Sequence, residues 1–242
     1  MAGHSKWAQI KRAKGANDAK RGQLFSKLAK EITIAARIGN SDDPDLNPRL
    51  RMVLIKGKQA NMPNDIVQRA LKKAFAAESG NVQYEELSYE VYGPSGAAIY
   101  CEVQTDNRNR TAAEIRLILN RNSGQLATSG AVSRLFERKG QILIGAETID
   151  EEKLMEIALN EGAEDFKSDE GVHEIITEPA KFEEVHAALE KENIKMELSH
   201  ITFIPSMTTK IPEDQVETVQ KLIDALDDNE DVKEVYTNAE LP

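Results

Sequence analysis

The hydrophobic period of this chain changes close to Ala77, and that change limits the folds open to it. Before it, apolar residues recur every three or four positions. After it, short stretches alternate. Leu24, Leu28, Ile32, Ala35 and Ala36 fall on one face of a helix that ends at Gly39 and the turn-rich NSDDPD of 40–45. Asn47-Pro48 announces a second helix, a capping residue followed by proline in the first turn, with Leu50, Val53 and Leu54 toward the core. A third helix begins around Pro63, and Ile66, Val67, Ala70, Leu71, Ala74 and Phe75 form its apolar stripe. Three short helices with short connections make a small bundle.

Beyond Ala77, LSYEVY at 87–92 and AAIYCEVQT at 97–105 flank the turn Gly93-Pro94-Ser95-Gly96, which predicts a β-hairpin. Thr111 and Glu114 match a capping box ahead of Ile115, Ile118 and Leu119. That match puts DNRNR, 106–110, in the loop entering a helix. Either Arg108, Arg110 and the free amides there hold a phosphate, or the segment is only a polar strand-to-helix loop. Residues 138–205 read as strand, helix, strand, helix, strand, with strands near 141–145, 172–177 and 196–204 and helices near 150–161 and 180–192. The tail, 206–242, holds one helix and one strand and is too short to fold alone. The expected fold is therefore α+β: an N-terminal three-helix bundle with a basic arm, followed by two α/β domains, one of them discontinuous. The arm is 1–22 and the bundle 23–77. The discontinuous domain is 78–137 plus 206–242, with an acidic α/β domain, 138–205, inserted.

Charge follows the same division. Residues 1–77 carry 16 Lys/Arg against 6 Asp/Glu, and residues 78–242 carry 15 against 35, so a total of −10 conceals +10 and −20. A basic end is the electrostatic footprint of a polyanion partner, most often nucleic acid, and the acidic remainder is expected to face away from it. In the arm, Lys6, Lys11, Arg12, Lys14, Lys20 and Arg21 are opposed only by Asp18. With so few large apolar residues, the arm is expected to order only on a partner. Trp7 is either a base-stacking residue or an anchor to the next domain. In the bundle, Lys27, Arg49, Arg51, Lys56, Lys58, Arg69, Lys72 and Lys73 are left for solvent or a ligand. The third helix adds Asn64 and Gln68, side chains able to read base edges.

The chemistry of an enzyme is not written here. There is no phosphate-binding GxxxxGK[ST], no strand-associated GxGxxG, no HExxH and no EF-hand loop. His4, His173, His186 and His200 lack metal-ligand spacing, and one cysteine, Cys101, excludes a disulfide framework. No apolar run approaches a membrane span, and the start lacks the apolar core of a signal peptide. No enzyme, no metal and no cofactor are expected. The expected location is the cytoplasm, and the expected partner is nucleic acid.

Several long stretches resemble the YebC/PmpR family: MAGHSKW at the start, KGANDAKRGQLFSKLAKEI at 14–32, DPDLNPRLR at 43–51, NMP at 61–63, TDNRNRT at 105–111 and LFERKG at 135–140. The chain departs from the family's pattern in Gly93-Pro94-Ser95-Gly96, where GPGG is usual, and at Arg134, where an aromatic is common. The resemblance implies three domains, a helical bundle and two α/β domains. It also implies one of two partners. Bacterial members are described as probable transcriptional regulators that bind promoter DNA. The family also includes the mitochondrial translational activator of cytochrome c oxidase, and bacterial members are tied to ribosomal translation of proline-rich sequences. Promoter DNA and ribosomal RNA are thus the two expected targets, and the chain has no evident small-molecule substrate.

Overall fold

A computed structural model describes residues 18–76, 83–169 and 171–241, and the arm residues 1–17 lie outside it. The described residues form two compact units, one of 18–135 with 207–241 and one of 136–206.

The first unit begins with helices α1 (Asp18–Ile38), α2 (Pro48–Gln59) and α3 (Asn64–Phe75). Asp18 to Gly22, expected to belong to the arm, form the first turns of α1. Leu28, Ile32, Ala35 and Ala36 of α1 bury against Leu50 and Val53 of α2, Met62, and Ala70 and Ala74 of α3. Leu24 and Phe75, expected on the core stripes, are about half exposed, because the shared core stops one turn short of each. Asn47 sets the α1–α2 corner. Its Oδ1 accepts the Leu50 amide at 3.1 Å, and its Nδ2 donates to the carbonyls of Ala35 (3.0 Å) and Ser41 (3.1 Å). Every polar atom of this buried side chain therefore has a partner. Gly39 is required beside it, since a Cβ there would stand 2.2 Å from Asn47 Nδ2.

The same unit continues into an antiparallel sheet of order β3-β1-β2-β9, from β1 (Glu85–Tyr92), β2 (Ala98–Thr105), β3 (Gln125–Leu126) and β9 (Val232–Thr237). Ile99, Cys101 and Val103 alternate onto the face covered by α4 (Arg108–Arg121) and α7 (Glu213–Asp227), meeting Ile115, Leu119, Val219, Leu222 and Leu226. A parallel pair, β8 (Thr209–Lys210) and β10 (Ala239–Glu240), closes the end. Ser95 holds φ of 57° in the hairpin turn, a left-handed conformation glycine adopts without cost. The buried Glu90 carboxylate accepts the amides of Gly130, Val132 and Ser133 at 2.6–2.8 Å. Burial alone would raise its pKa, but these three donors hold it below the ordinary value and pin the loop of 127–135.

The second unit is a four-stranded antiparallel sheet of order β5-β6-β4-β7, built from β4 (Phe136–Gly145), β5 (Ala163–Asp169), β6 (Val172–Thr177) and β7 (Leu198–Pro205), with α5 (Glu151–Asn160) and α6 (Phe182–Lys191). Strand β5 is absent from the sequence reading. Its AEDFKSD is almost wholly polar because it is an edge strand, and no hydrophobic alternation marks it. The fold class is α+β, with N-terminal helices followed by α/β domains.

Replacing Asn47 with alanine removes a cap and leaves the Ala35 carbonyl short of a donor. We expect a loss of about 1–3 kcal/mol in urea unfolding, with an unchanged m-value.

Candidate nucleic-acid interface

The cations singled out in the sequence separate into two groups once they are placed. One group turns inward. Lys27 donates to both the carbonyl and the carboxylate of Asp227, the latter at 3.2 Å. Lys56, expected to face solvent or a ligand, is only one-fifth exposed. It lies 3.2 Å from Glu234 and 3.9 Å from Glu31. Burial pulls its pKa down, but the Glu234 and Glu31 carboxylates outweigh that and hold it above the usual lysine value. Arg49 forks onto Glu86, and Gln104 donates to the same carboxylate at 2.9 Å. The hydrogen bond from Arg49, acting against burial, keeps the pKa of Glu86 low.

Arg110 and Arg108 sit differently from the expectation. Asn107, not Thr111, caps α4 by accepting the Arg110 amide at 3.1 Å, so both arginines belong to the first helical turn rather than to a loop. Arg110 reaches Asp231 (2.7 Å) and Asp106 (2.9 Å), and Arg108 stands 4.0 Å from Glu85. Thr111 is free of capping because its hydroxyl lies 2.7 Å from Asp231 and 2.8 Å from the Thr105 hydroxyl. TDNRNRT is thus a motif that builds a carboxylate pocket for Asp231. Lys30 completes it from α1 at 2.8 Å, and Thr105 lies 3.1 Å away. Burial alone would raise the Asp231 pKa, but the donors Arg110, Lys30 and Thr111 bring it down to about 2.

The second group faces outward. Lys20 and Arg21 on α1, Lys58 on α2, and Lys72 and Lys73 on α3 are exposed. Arg69 is exposed too and spans one turn to Asp65. Such a surface pair contributes at most about 1 kcal/mol and leaves Arg69 available. Arg51 is half-buried. On α3, Asn64, Gln68, Arg69, Lys72 and Lys73 all lie on the solvent side, opposite buried Ala70 and Ala74. Lys6, Trp7, Lys11, Arg12 and Lys14 lie outside the described residues.

Sequence reasoning missed the acidic anchors Asp227, Asp231 and Glu234. The run DDNEDVKE at 227–234 was a signal, since it sits just ahead of and within a strand, but its partners are about 200 positions away. Among the described residues no cluster of three His, Cys, Asp or Glu could hold a metal ion, and burial pushes the Cys101 thiol up to about 12, which keeps it protonated. No described helix is long and apolar enough to cross a membrane.

An α+β protein with a helical N-terminal module is also what the comparisons return. A crystal structure of a conserved hypothetical protein from Aquifex aeolicus superposes with a TM-score of 0.81 at 45% identity, covering 93% of this chain and 92% of that one. Residues 5–77 match the TACO1/YebC N-terminal domain, and residues 84–239 match the TACO1/YebC second and third domains. The chain belongs to the TACO1/YebC family. A relative from Natranaerobius thermophilus is 49% identical over 100% of this chain and 97% of its own length. One from Treponema pallidum (strain Nichols) is 48% identical over 100% and 98%. Each is named "Probable transcriptional regulatory protein".

Because folding lowers the Asp231 pKa to about 2, its carboxylate stabilises the fold fully above its unfolded value of ~4 and loses that effect as pH falls from there toward 2. Asp231→Asn should cost about 2 kcal/mol at neutral pH. In urea melts at stepped pH, the gap between wild type and variant should narrow below pH ~4.

Proposed function

We propose that this protein is a non-enzymatic, nucleic-acid-binding regulator of gene expression in the cytoplasm, acting on promoter DNA as a transcriptional regulator. The observation that carries the reading is the outer face of α3. There, Asn64 and Gln68 stand beside Arg69, Lys72 and Lys73, all exposed and none needed by the bundle core. Amide side chains pair with adenine edges in the major groove, and cations hold the flanking phosphates. Lys20, Arg21 and Lys58 extend the positive surface over α1 and α2. Arm residues Lys6, Trp7, Lys11, Arg12 and Lys14 supply further contacts in this reading. The names of the family relatives point to the same role.

Ribosomal RNA is the competing partner, and the same exposed cations would serve it. Crosslinking in cells followed by sequencing of the attached nucleic acid separates the two. Promoter DNA without ribosomal RNA supports transcription, and the reverse outcome removes it.

A salt titration tests the face itself. Replacing Lys72 and Lys73 together with alanine should lower the slope of log affinity against log salt on duplex DNA by about 2, with little change in the unfolding midpoint. A slope equal to that of the wild type would remove α3 from the interface.

A further inference from the structure

A second cationic surface lies on the α/β part of the first unit, where nothing in the bundle accounts for it. Helix α4 turns Arg116, Leu117, Asn120 and Arg121 to solvent. This face is one turn and a residue long, since positions four apart share a side of a helix. Neither arginine meets a carboxylate among the described residues, although α7, packed nearby, is rich in acids. Beside this face lies an open depression of about 430 Å³, lined by Tyr92, Gly93, Leu119, Asn120, Ser123, Gly124 and Gln125.

The floor of this depression is fixed by glycines. A Cβ on Gly124 would stand 2.8 Å from Leu119 and 3.2 Å from Leu222, and one on Gly93 would stand 3.2 Å from Leu222. The backbone can therefore lie directly on the apolar core. Ser123 holds φ of 57°, which turns the chain sharply from α4 into β3. The walls carry chemistry that the fold does not use. Tyr92 is 42% exposed at the end of β1, and the amides of Asn120 and Gln125 are exposed. Those three side chains make no hydrogen bond among the described residues. The neighbouring Asn122, by contrast, is tied to the Ile118 carbonyl at 2.8 Å.

An aromatic face and two unengaged amides in one shallow site, with two uncompensated arginines on the helix face beside it, are the elements of single-strand recognition. The ring stacks on a base, the amides meet its Watson–Crick edge, and the arginines hold the phosphates on either side. A paired base is buried in its stack and cannot enter such a depression. From this juxtaposition we propose that the Tyr92–Asn120–Gln125 depression, with Arg116 and Arg121, binds an unpaired nucleobase of a single-stranded or looped nucleic acid. The proposal rests on the nucleic-acid reading above. It adds a second site, distinct from α3, with its own preference for unpaired bases.

The test measures binding of the full chain to three fluorescein-labelled probes: a short oligouridine RNA, the thymidine DNA strand of equal length, and a blunt DNA duplex. Tyr92→Ala should weaken the single strands about tenfold and leave the duplex unchanged. Tyr92→Phe keeps the ring and should bind as the wild type does. Arg116→Ala and Arg121→Ala should each lower the single-strand salt slope by about 0.7. A loss on both strands assigns the base itself as ligand, and a loss on oligouridine alone assigns RNA. Tyr92→Ala binding the strands as tightly as the wild type overturns the proposal. So does a wild type that binds the duplex but neither strand, a result that leaves the proposed function standing. A wild type that binds none of the three overturns both.

Discussion

Asp231 is where the first unit is held together. Two stretches far apart in sequence send four donors to one buried carboxylate: Lys30 from α1, and Thr105, Arg110 and Thr111 from the run that joins the end of β2 to the first turn of α4. The backbone of Asp231 itself accepts the Gln104 amide at 2.9 Å just ahead of β9. A buried charge without partners costs several kcal/mol, so the carboxylate imposes its geometry on everything that serves it. Helix α4 must start at Arg108, β2 must end at Thr105, and α1 must lie close enough for Lys30 to reach. Removing any donor leaves the carboxylate short of compensation, whereas a hydrophobic contact of equal size would tolerate a shift.

That requirement changes the meaning of the basic N-terminal region. A count of charges treats every lysine and arginine as a potential phosphate contact. The structure divides them by burial. Lys56 and Lys30 meet carboxylates in places with little solvent, where their charge serves the fold. Lys58, Lys72 and Lys73 lie in water, where an ion pair within the chain would contribute little and a row of phosphates can take its place. Lys27 and Arg49 are intermediate. Each pairs with a carboxylate that is itself exposed, at the rim of the buried contacts. The acidic remainder has a structural part as well. Part of it neutralises the inner side of the bundle.

Local patterns in the sequence were readable because one element carried them. Asn47-Pro48 gives the start of α2 and Gly93-Pro94-Ser95-Gly96 the hairpin turn, since capping and turn chemistry act over a few residues. The resemblance of long stretches to one family made the α+β class legible as well. The start of α4 was misjudged by a turn because Thr111 satisfies the capping-box spacing while its hydroxyl serves Asp231. Strand β5 was invisible because its side chains are mostly polar on an edge. The pairing of Lys56 is invisible locally because Glu234 lies 178 residues further on. Tyr92, Asn120 and Gln125 come from three separate elements, and no spacing rule joins them. Apart from β5, the missing information was long-range pairing, which composition and periodicity do not encode.

The remaining physical question is how a chain of net charge −10 could hold a polyanion at all. Screening decides it. At physiological ionic strength the Debye length is about 8 Å, shorter than a typical domain is wide. In the proposed reading, a phosphate near the outer face of α3 would therefore feel Arg69, Lys72 and Lys73, a few ångströms away, far more strongly than any charge beyond that length. On the same reading, the acidic residues would act at longer range and lower salt, reducing association with polyanions that do not reach a basic face. On the proposed function, the exposed cations would set local affinity and the acidic excess would limit indiscriminate binding, two effects that a single net charge would hide.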